Sequence, residues 1–385
     1  MPLKILVSAG EASGDLYAAH LVEKLRAALP TAEFFGCAGH HMRNAGVRGV
    51  VDASSLAVVG LFEVVRHIPR VYSEYRRLVG EALRVRPALA ILTDSPDFHL
   101  RVAQRLKRNG IPVVYLVAPQ VWAWRQRRIH SIQRNVDRLL CIFPFEEKFF
   151  RRHGVAADYI GHPLARMVKA LLSKTEFFRK HDLQLGNPLI VLLPGSRPGE
   201  IARHMPPLLD AVDRMAARRE ASFVLACPPG VYRAAGLESV GRQSGGRIRV
   251  VEGETWDALA HADLALAASG TVTIEAALLE TPMVTFYRVS EITWRLGGWL
   301  VDVPYYSMVN LVAGRSVVPE LMQNEVTGER LATEALRLLE NVDERERMRQ
   351  GLREVRARLA TDVDPLEKAA QIVQQLMKQG VTNVS

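Results

Sequence analysis

The chain has 385 residues, 48% of them hydrophobic and 24% charged, a length and composition that exclude one small core and predict a soluble globular protein of two domains. Three scattered cysteines, eleven histidines without a ligand-spaced cluster, and no apolar run near about 20 residues predict no disulfide, no bound metal and no membrane span, hence a cytoplasmic protein. The net charge of +9 falls wholly within residues 1–165, which calls for an anionic partner: nucleic acid, a membrane surface or a phosphorylated substrate.

In chain order, Lys4 to Val7 reads as a short buried strand running into Gly10-Glu11-Ala12-Ser13-Gly14-Asp15 and a helix to Ala28. The glycines stand four apart, unlike the three-glycine dinucleotide fingerprint, so no nicotinamide or flavin cofactor is expected. Glu11 would repel a phosphate in such a turn and suits sugar hydroxyls. Ser13 and Asp15 read first as helix caps and second as contacts to an acceptor. After a strand near Glu33 to Gly36, the segment from Leu56 sets apolar residues, among them Val58, Leu61, Phe62 and Val65, nearly all round a helix, with Arg66, Arg70, Arg76 and Arg77 following. Full burial and a lipid-like partner both satisfy that pattern, and the arginines favour a surface resting on anionic headgroups.

Ala88 to Leu92 is the next buried strand, ending in Thr93-Asp94-Ser95-Pro96-Asp97. The carboxyl ends of parallel strands face the ligand in open α/β sheets, which makes Asp94 a candidate general base. Pro96 is expected to keep Ser95 extended, and Asp97 to cap a helix over His99 to Arg108. Strand Pro112 to Val117 leads to Gln120-Val121-Trp122-Ala123-Trp124-Arg125, with Arg127 and Arg128 beyond. Tryptophans beside arginines suit nucleic-acid stacking, a membrane interface, or a wall for an acyl chain and phosphate; Trp124 and Arg125 are the acceptor-side candidates. Strand Arg138 to Phe143, a helix from Phe145 and a strand near Asp158 complete a first domain, 1–165.

A second domain, 170–350, opens on the apolar run Leu189 to Leu193, followed by Pro194-Gly195-Ser196-Arg197 and a helix from about Ile201. Backbone N–H groups at such a turn and the forked cation of Arg197 suit a diphosphate. Strand Leu264 to Ala268 runs into Ser269-Gly270-Thr271, whose hydroxyls and amides suit a phosphate, with Glu275 one turn later as an acceptor for ribose hydroxyls. Asn310 and Arg315 offer an amide and a cation; a loop cap and a surface charge account for them equally well. Residues 351–385 read as charged helices able to pack back on the first domain.

Six motifs, Gly-Glu-Ala-Ser-Gly-Asp at 10–15, Asp-Ser-Pro-Asp-Phe at 94–98, Gln-Val-Trp-Ala-Trp-Arg at 120–125, Leu-Pro-Gly-Ser-Arg at 193–197, Ser-Gly-Thr at 269–271 and Asn-Leu-Val-Ala-Gly-Arg at 310–315, resemble lipid-A-disaccharide synthases in order and spacing over almost the whole chain. The resemblance implies an α/β fold of two Rossmann-like domains facing across a cleft, the GT-B type of glycosyltransferase. It implies a UDP-2,3-diacylglucosamine donor, a 2,3-diacylglucosamine 1-phosphate acceptor, a β-1,6 product made with inversion, and work at the cytoplasmic face of the inner membrane. Asp94 matches the favoured base, and Glu11, Arg197, Glu275, Asn310 and Arg315 match residues lining the site. Departing UDP would be held by Arg197 and the Ser269 helix start, without a metal. Family dimers with a swapped C-terminal region make a homodimer a candidate assembly. Ser95 and Val309 stand where relatives often carry Ala and Pro, with no functional group lost. A peptidoglycan glycosyltransferase and a UDP-sugar 2-epimerase of the same fold are the rivals; nucleic acid is set aside because no binding-module pattern surrounds the tryptophans.

Overall fold

The computed structural model describes residues 2–56, 61–291, 294 and 303–382, with side chains described for all but 61–68 and 380–382. Of the expected apolar patch, Val58 lies outside the described residues, and Leu61, Phe62 and Val65 are described only as helix backbone. The chain forms two compact units, Met1–Arg166 with Leu359–Ser385, and Met167–Arg358.

The first unit is built on seven parallel strands: β1 (Lys4–Ala9), β2 (Glu33–Ala38), β3 (Arg48–Asp52), β4 (Leu89–Thr93), β5 (Val113–Leu116), β6 (Arg138–Cys141) and β7 (Ala157–Tyr159). Their order is β3-β2-β1-β4-β5-β6-β7. Every residue of β4 and β5 is buried, the mark of a sheet covered by helices on both faces. Helix α1 (Ala12–Ala28) turns Tyr17, Ala18, Leu21, Val22 and Leu25 inward at helical spacing. The short helix α2 (His40–Asn44) and the edge strand β3 escaped the sequence pattern, because β3 buries only Val50 and Val51. Helix α3 spans Leu61–Val85, and helix α4 spans Pro96–Lys107. Helix α4 begins three residues before the expected His99. Pro96 takes its first position, where a missing N–H leaves no bond unmade, and Ser95, not Asp97, is the N-cap.

The terminal helix Pro365–Thr382 belongs to this unit and lies on α1. It buries Leu366, Ala369, Ala370 and Val373, and its Lys368 Nζ donates to the Tyr159 carbonyl at 2.8 Å.

The second unit repeats the winding with β8 (Leu189–Leu193), β9 (Ser222–Cys227), β10 (Ile248–Glu252), β11 (Leu264–Ala268), β12 (Met283–Tyr287) and β13 (Glu320–Met322), all parallel in the order β10-β9-β8-β11-β12-β13. It runs on to Arg358 rather than ending near 350. Helix Val342–Leu359 is tied to it by Arg358, which donates to the carbonyls of Val312 and Ala313 at 2.7 and 2.9 Å, and by Arg356, which pairs with Glu280 at 2.8 Å.

In each sheet the chain starts at an inner strand, winds outward one way, then returns to wind the other. The reversal falls between β1 and β4 in the first unit and between β8 and β11 in the second. At such a point the loops leaving the strands' carboxyl ends diverge, and ligands bind there.

Candidate active site

At the β1/β4 reversal, strand register sets Ala9 beside Thr93, so the loops leaving at Gly10 and Asp94 start side by side. The Asp94 carboxylate accepts from the N–H of Gly10 at 2.9 Å and of Glu11 at 3.1 Å. Glycine is required on both sides of that contact. A Cβ on Gly14 would fall 1.7 Å from Asp94 Oδ2, and one on Gly10 would fall 2.3 Å from Ser95 Oγ. Gly14 therefore clears space for the Asp94 carboxylate, and Gly10 for the Ser95 side chain beside it. Asp94 and Ser95 both carry positive φ, 56° and 39°, a conformation that costs non-glycine residues about 1 kcal/mol or more each unless the surroundings hold it. Ser95 is thus left-handed, not extended as its place before Pro96 suggested.

Asp94 is half-buried. Burial raises its carboxyl well above the usual carboxylate range, the Glu11 charge adds to that, and the bonds from Gly10, Ser95 and Glu11 oppose it. Glu11 is exposed at the N-cap of α1. Beneath them, His99 is fully buried: Nδ1 lies 3.0 Å from the Asp94 carbonyl oxygen and Nε2 lies 2.7 Å from Ser8 Oγ. Burial lowers its pKa to about 4, so it is neutral, with Nδ1–H donating to the carbonyl and Ser8 donating to Nε2. The Tyr115 hydroxyl donates to the same Asp94 carbonyl.

Other residues singled out in the first unit separate from this group. Asp15 is buried, and its carboxylate accepts from the N–H groups of Gly39, His41 and Met42 at 2.7, 2.8 and 3.3 Å. It caps α2 instead of its own helix. Ser13 is half-buried in the first turn of α1. Trp124 is 39% exposed, with the Arg125 guanidinium 4.5 Å and the Arg128 guanidinium 5.6 Å from its ring centre. Asp97 bonds to both arginines. Trp122 instead packs inward and donates to Glu146, a carboxylate whose pKa burial lifts to about 7.

At the β8/β11 reversal the loop presents a cation, Arg197, beside carboxyl groups. Arg197 is the N-cap of helix Pro198–Ala216; its guanidinium pairs with Glu200 at 3.1 Å, and the Tyr287 hydroxyl donates to the same Glu200 oxygen at 3.0 Å. Gly195, at φ 117°, leaves room for that carboxylate: a Cβ there would meet Glu200 Oε2 at 2.9 Å. Buried His204 staples the loop, donating from Nδ1 to the Pro194 carbonyl at 2.7 Å and accepting at Nε2 from the Arg288 N–H at 3.1 Å.

Across the reversal, Gly270 and Thr271 are exposed at the start of helix Thr271–Leu278, which has no side-chain cap, while the Ser269 hydroxyl donates to the Tyr306 carbonyl at 3.1 Å. The first amides of that helix are donors for an anion. Glu275 is half-buried, accepts from Trp256 Nε1 at 3.1 Å, and has its pKa raised by burial to about 7. Asn310 is engaged within its own unit. It is buried; its amide nitrogen donates to the Val318 carbonyl and Glu320 at 2.9 and 2.7 Å, and its oxygen accepts from Val317 and Val318 at 2.7 and 3.0 Å. All four bonding positions of the side-chain amide are taken, by the loop and by Glu320 on β13. Arg315 pairs with Glu354 at 2.8 Å on the surface.

Residues 5–375 match the family of lipid-A-disaccharide synthetases. The chain belongs to this family. It is 59% identical to lipid-A-disaccharide synthase of Solibacter usitatus, covering 99% of this chain and 100% of that one, and 42% identical to the enzyme of Myxococcus xanthus, covering 98% and 99%. Among solved structures it resembles UDP-GlcNAc 2-epimerase from Neisseria meningitidis bound to UDP-GlcNAc, with a TM-score of 0.64 at 12% identity over 98% of this chain and 100% of that one. A glycosyltransferase from Rickettsia africae matches with a TM-score of 0.57 at 10% identity over 99% of both chains. At such identities the likeness shows the fold alone: two parallel-sheet α/β domains of the GT-B class.

Within this lipid-A-disaccharide synthase family member, sequence reasoning missed Ser8, His99, Tyr115, Glu200, His204 and Trp256. Ser8 and His99 lie on separate elements 91 positions apart, and no local spacing joins them. Among the described residues, no three His, Cys, Asp or Glu side chains converge as metal ligands, and no helix is long and apolar enough to cross a membrane.

Proposed function

We propose that the protein is an inverting, metal-independent glycosyltransferase joining UDP-2,3-diacylglucosamine to 2,3-diacylglucosamine 1-phosphate, with the β-1,6 disaccharide 1-phosphate and UDP as products. The observation that carries this proposal is Asp94: a carboxyl raised above its usual range and fixed on two amides at the β1/β4 reversal, in a chain of this family. Such a group, once ionised, is a stronger base than an ordinary carboxylate. Asp94 takes the proton of the acceptor 6-hydroxyl as that oxygen attacks the anomeric carbon, and the bond to UDP breaks on the opposite face.

Arg197 and the amides opening helix Thr271–Leu278 receive the charge that develops on the departing diphosphate. Glu275 accepts from the ribose, and Glu11 from sugar hydroxyls. Arg125 and Arg128, held against Trp124, receive the acceptor phosphate in exchange for Asp97. Exposed Arg70, Tyr72, Arg76 and Arg77 on α3 support docking on the anionic inner face of the inner membrane.

The purified protein, incubated with both lipid precursors and a chelator, is expected to release UDP and a disaccharide in equal amounts. UDP release without an acceptor-dependent disaccharide would reject the proposed reaction. Activity lost to the chelator and restored by magnesium would reject only its metal independence. Replacing Leu61, Phe62 and Val65 by Ser should reduce sedimentation with anionic vesicles; undiminished sedimentation of the folded variant removes the membrane patch.

A further inference from the structure

We infer that His99 and Tyr115 are positioning residues: together they hold Asp94 in its left-handed backbone conformation and thereby fix its carboxylate on the Gly10 and Glu11 amides. The inference rests on Asp94 acting as the base and adds how that base is kept in place.

Two successive non-glycine residues at φ 56° and 39° would relax toward extended or right-handed backbone if nothing opposed it. The opposition is on the buried side of the peptide. The Asp94 carbonyl oxygen accepts from Tyr115 Oη–H, on β5, and from His99 Nδ1–H at 3.0 Å, on α4. Turning that carbonyl away would leave the Tyr115 hydroxyl unpaired and cost His99 an acceptor, where both side chains are 0% exposed, and a buried donor deprived of its partner is strongly disfavoured. On the other side of the residue, the carboxylate accepts at 2.9 and 3.1 Å from the loop leaving β1. The residue is therefore clamped twice, by its carbonyl below and its carboxylate above.

Ser8 completes the device. The Asp94 carbonyl can only accept, so Nδ1 carries the proton, and the Ser8 hydroxyl, 2.7 Å from His99 Nε2, donates to that second nitrogen and holds the ring in place. Both His99 and Tyr115 bond the carbonyl oxygen, not the carboxylate, so their part is positioning and not proton relay.

The test compares Tyr115→Phe, His99→Asn and His99→Leu with the parent in steady-state transfer, in the pH dependence of kcat, and in thermal unfolding. In Tyr115→Phe, kcat should fall about tenfold with both KM values within about twofold of the parent, since a loosened base is misplaced in the transition state without loss of substrate contacts. The acid limb of kcat should also move to higher pH, because the amides that favour the charged carboxylate are less firmly engaged. An Asn amide nitrogen reproduces the Nδ1 donor, so His99→Asn should retain more kcat than His99→Leu.

A Tyr115→Phe protein with a lowered Tm but the parent's kcat and acid limb would overturn the inference, leaving the hydroxyl a purely structural part. If His99→Leu does not fold, Tyr115→Phe decides alone. Asp94→Asn, run alongside, separates the two levels. Parent-like turnover in Asp94→Asn removes the base assignment itself, whereas an inactive Asp94→Asn beside an unaltered Tyr115→Phe overturns positioning only.

Discussion

In the first unit the loop after the innermost strand carries Gly10 and Glu11 and receives a carboxylate from the neighbouring strand; in the second the equivalent loop carries Arg197 and lies next to an uncapped helix start at Thr271. The winding is the same, with the reversal at the third strand of each sheet, and the loops differ: the first presents carboxyl groups alone, the second an arginine paired with a glutamate. Parallel sheets supply a place for a ligand irrespective of its chemistry. What distinguishes the two places is which side chains the loops admit. Gly14 admits the Asp94 carboxylate in one, and Gly195 admits Glu200, which steadies a guanidinium, in the other.

The strongest way to break the contrast is to neutralise the anionic end. Asp94→Asn keeps size and tolerates positive φ, yet it cannot accept a proton. Turnover should fall by about 10²- to 10⁴-fold, with the UDP-sugar dissociation constant unchanged by calorimetry. Equal losses in turnover and binding would show that the two ends do not divide the work.

Neutralising the cationic end should give the reverse. Arg197→Ala removes a charged donor from the diphosphate, and UDP affinity should fall about 10- to 100-fold. The acid limb of kcat should stay where it is. Unchanged UDP affinity in a folded Arg197→Ala protein would detach the second reversal point from the donor.

Both ends were legible in sequence as strand-turn-helix segments, since five-residue apolar runs stopped by Gly or Pro mark buried parallel strands. Asp94, Glu11, Arg197 and Glu275 stood out as candidates for the same reason, each standing just beyond such a run or one turn into the following helix. What holds them was not. Asp15 reads locally as a cap for its own helix, yet its partners are Gly39, His41 and Met42, reached only once β1 and β2 are paired. Asn310 reads as a candidate amide or a loop cap, and only the return of the chain to β13 engages its amide. His99 and Tyr115 read as core filling. Their function depends on the register that places β4 beside β5, information carried by the sheet as a whole.

A smaller effect sharpens the anionic end. Burial is the largest cause of the raised Asp94 carboxyl and the Glu11 charge the next. Activity needs the ionised base, so it is lost as pH falls through that raised value, and the acid limb should lie above the ordinary carboxylate range. Glu11→Gln removes the charge and leaves the burial, and should move the limb to lower pH without bringing it to an ordinary aspartate's position. A limb that does not move would mean Glu11 acts on the sugar alone.

The smallest effect tests the cationic end for a hidden acid. Glu275, lifted to about 7 by burial, is protonated below that pH and charged above it. Its Oε2 accepts from Trp256 Nε1, which leaves Oε1 for a ligand. If that ligand is a ribose hydroxyl, the bond strengthens as the carboxylate ionises, and affinity should rise about fivefold as pH climbs through 7, a gain of roughly 1 kcal/mol. If Oε1 meets the diphosphate instead, like charges repel and affinity should fall over the same range. The ligand must be a UDP-sugar, because free UDP carries a terminal phosphate that ionises near pH 6, as phosphate monoesters do, and would imitate the signal. Glu275→Gln should flatten the curve in either case, so the sign of the parent's slope alone decides whether the second end keeps its charges on one side or carries an acceptor among its donors.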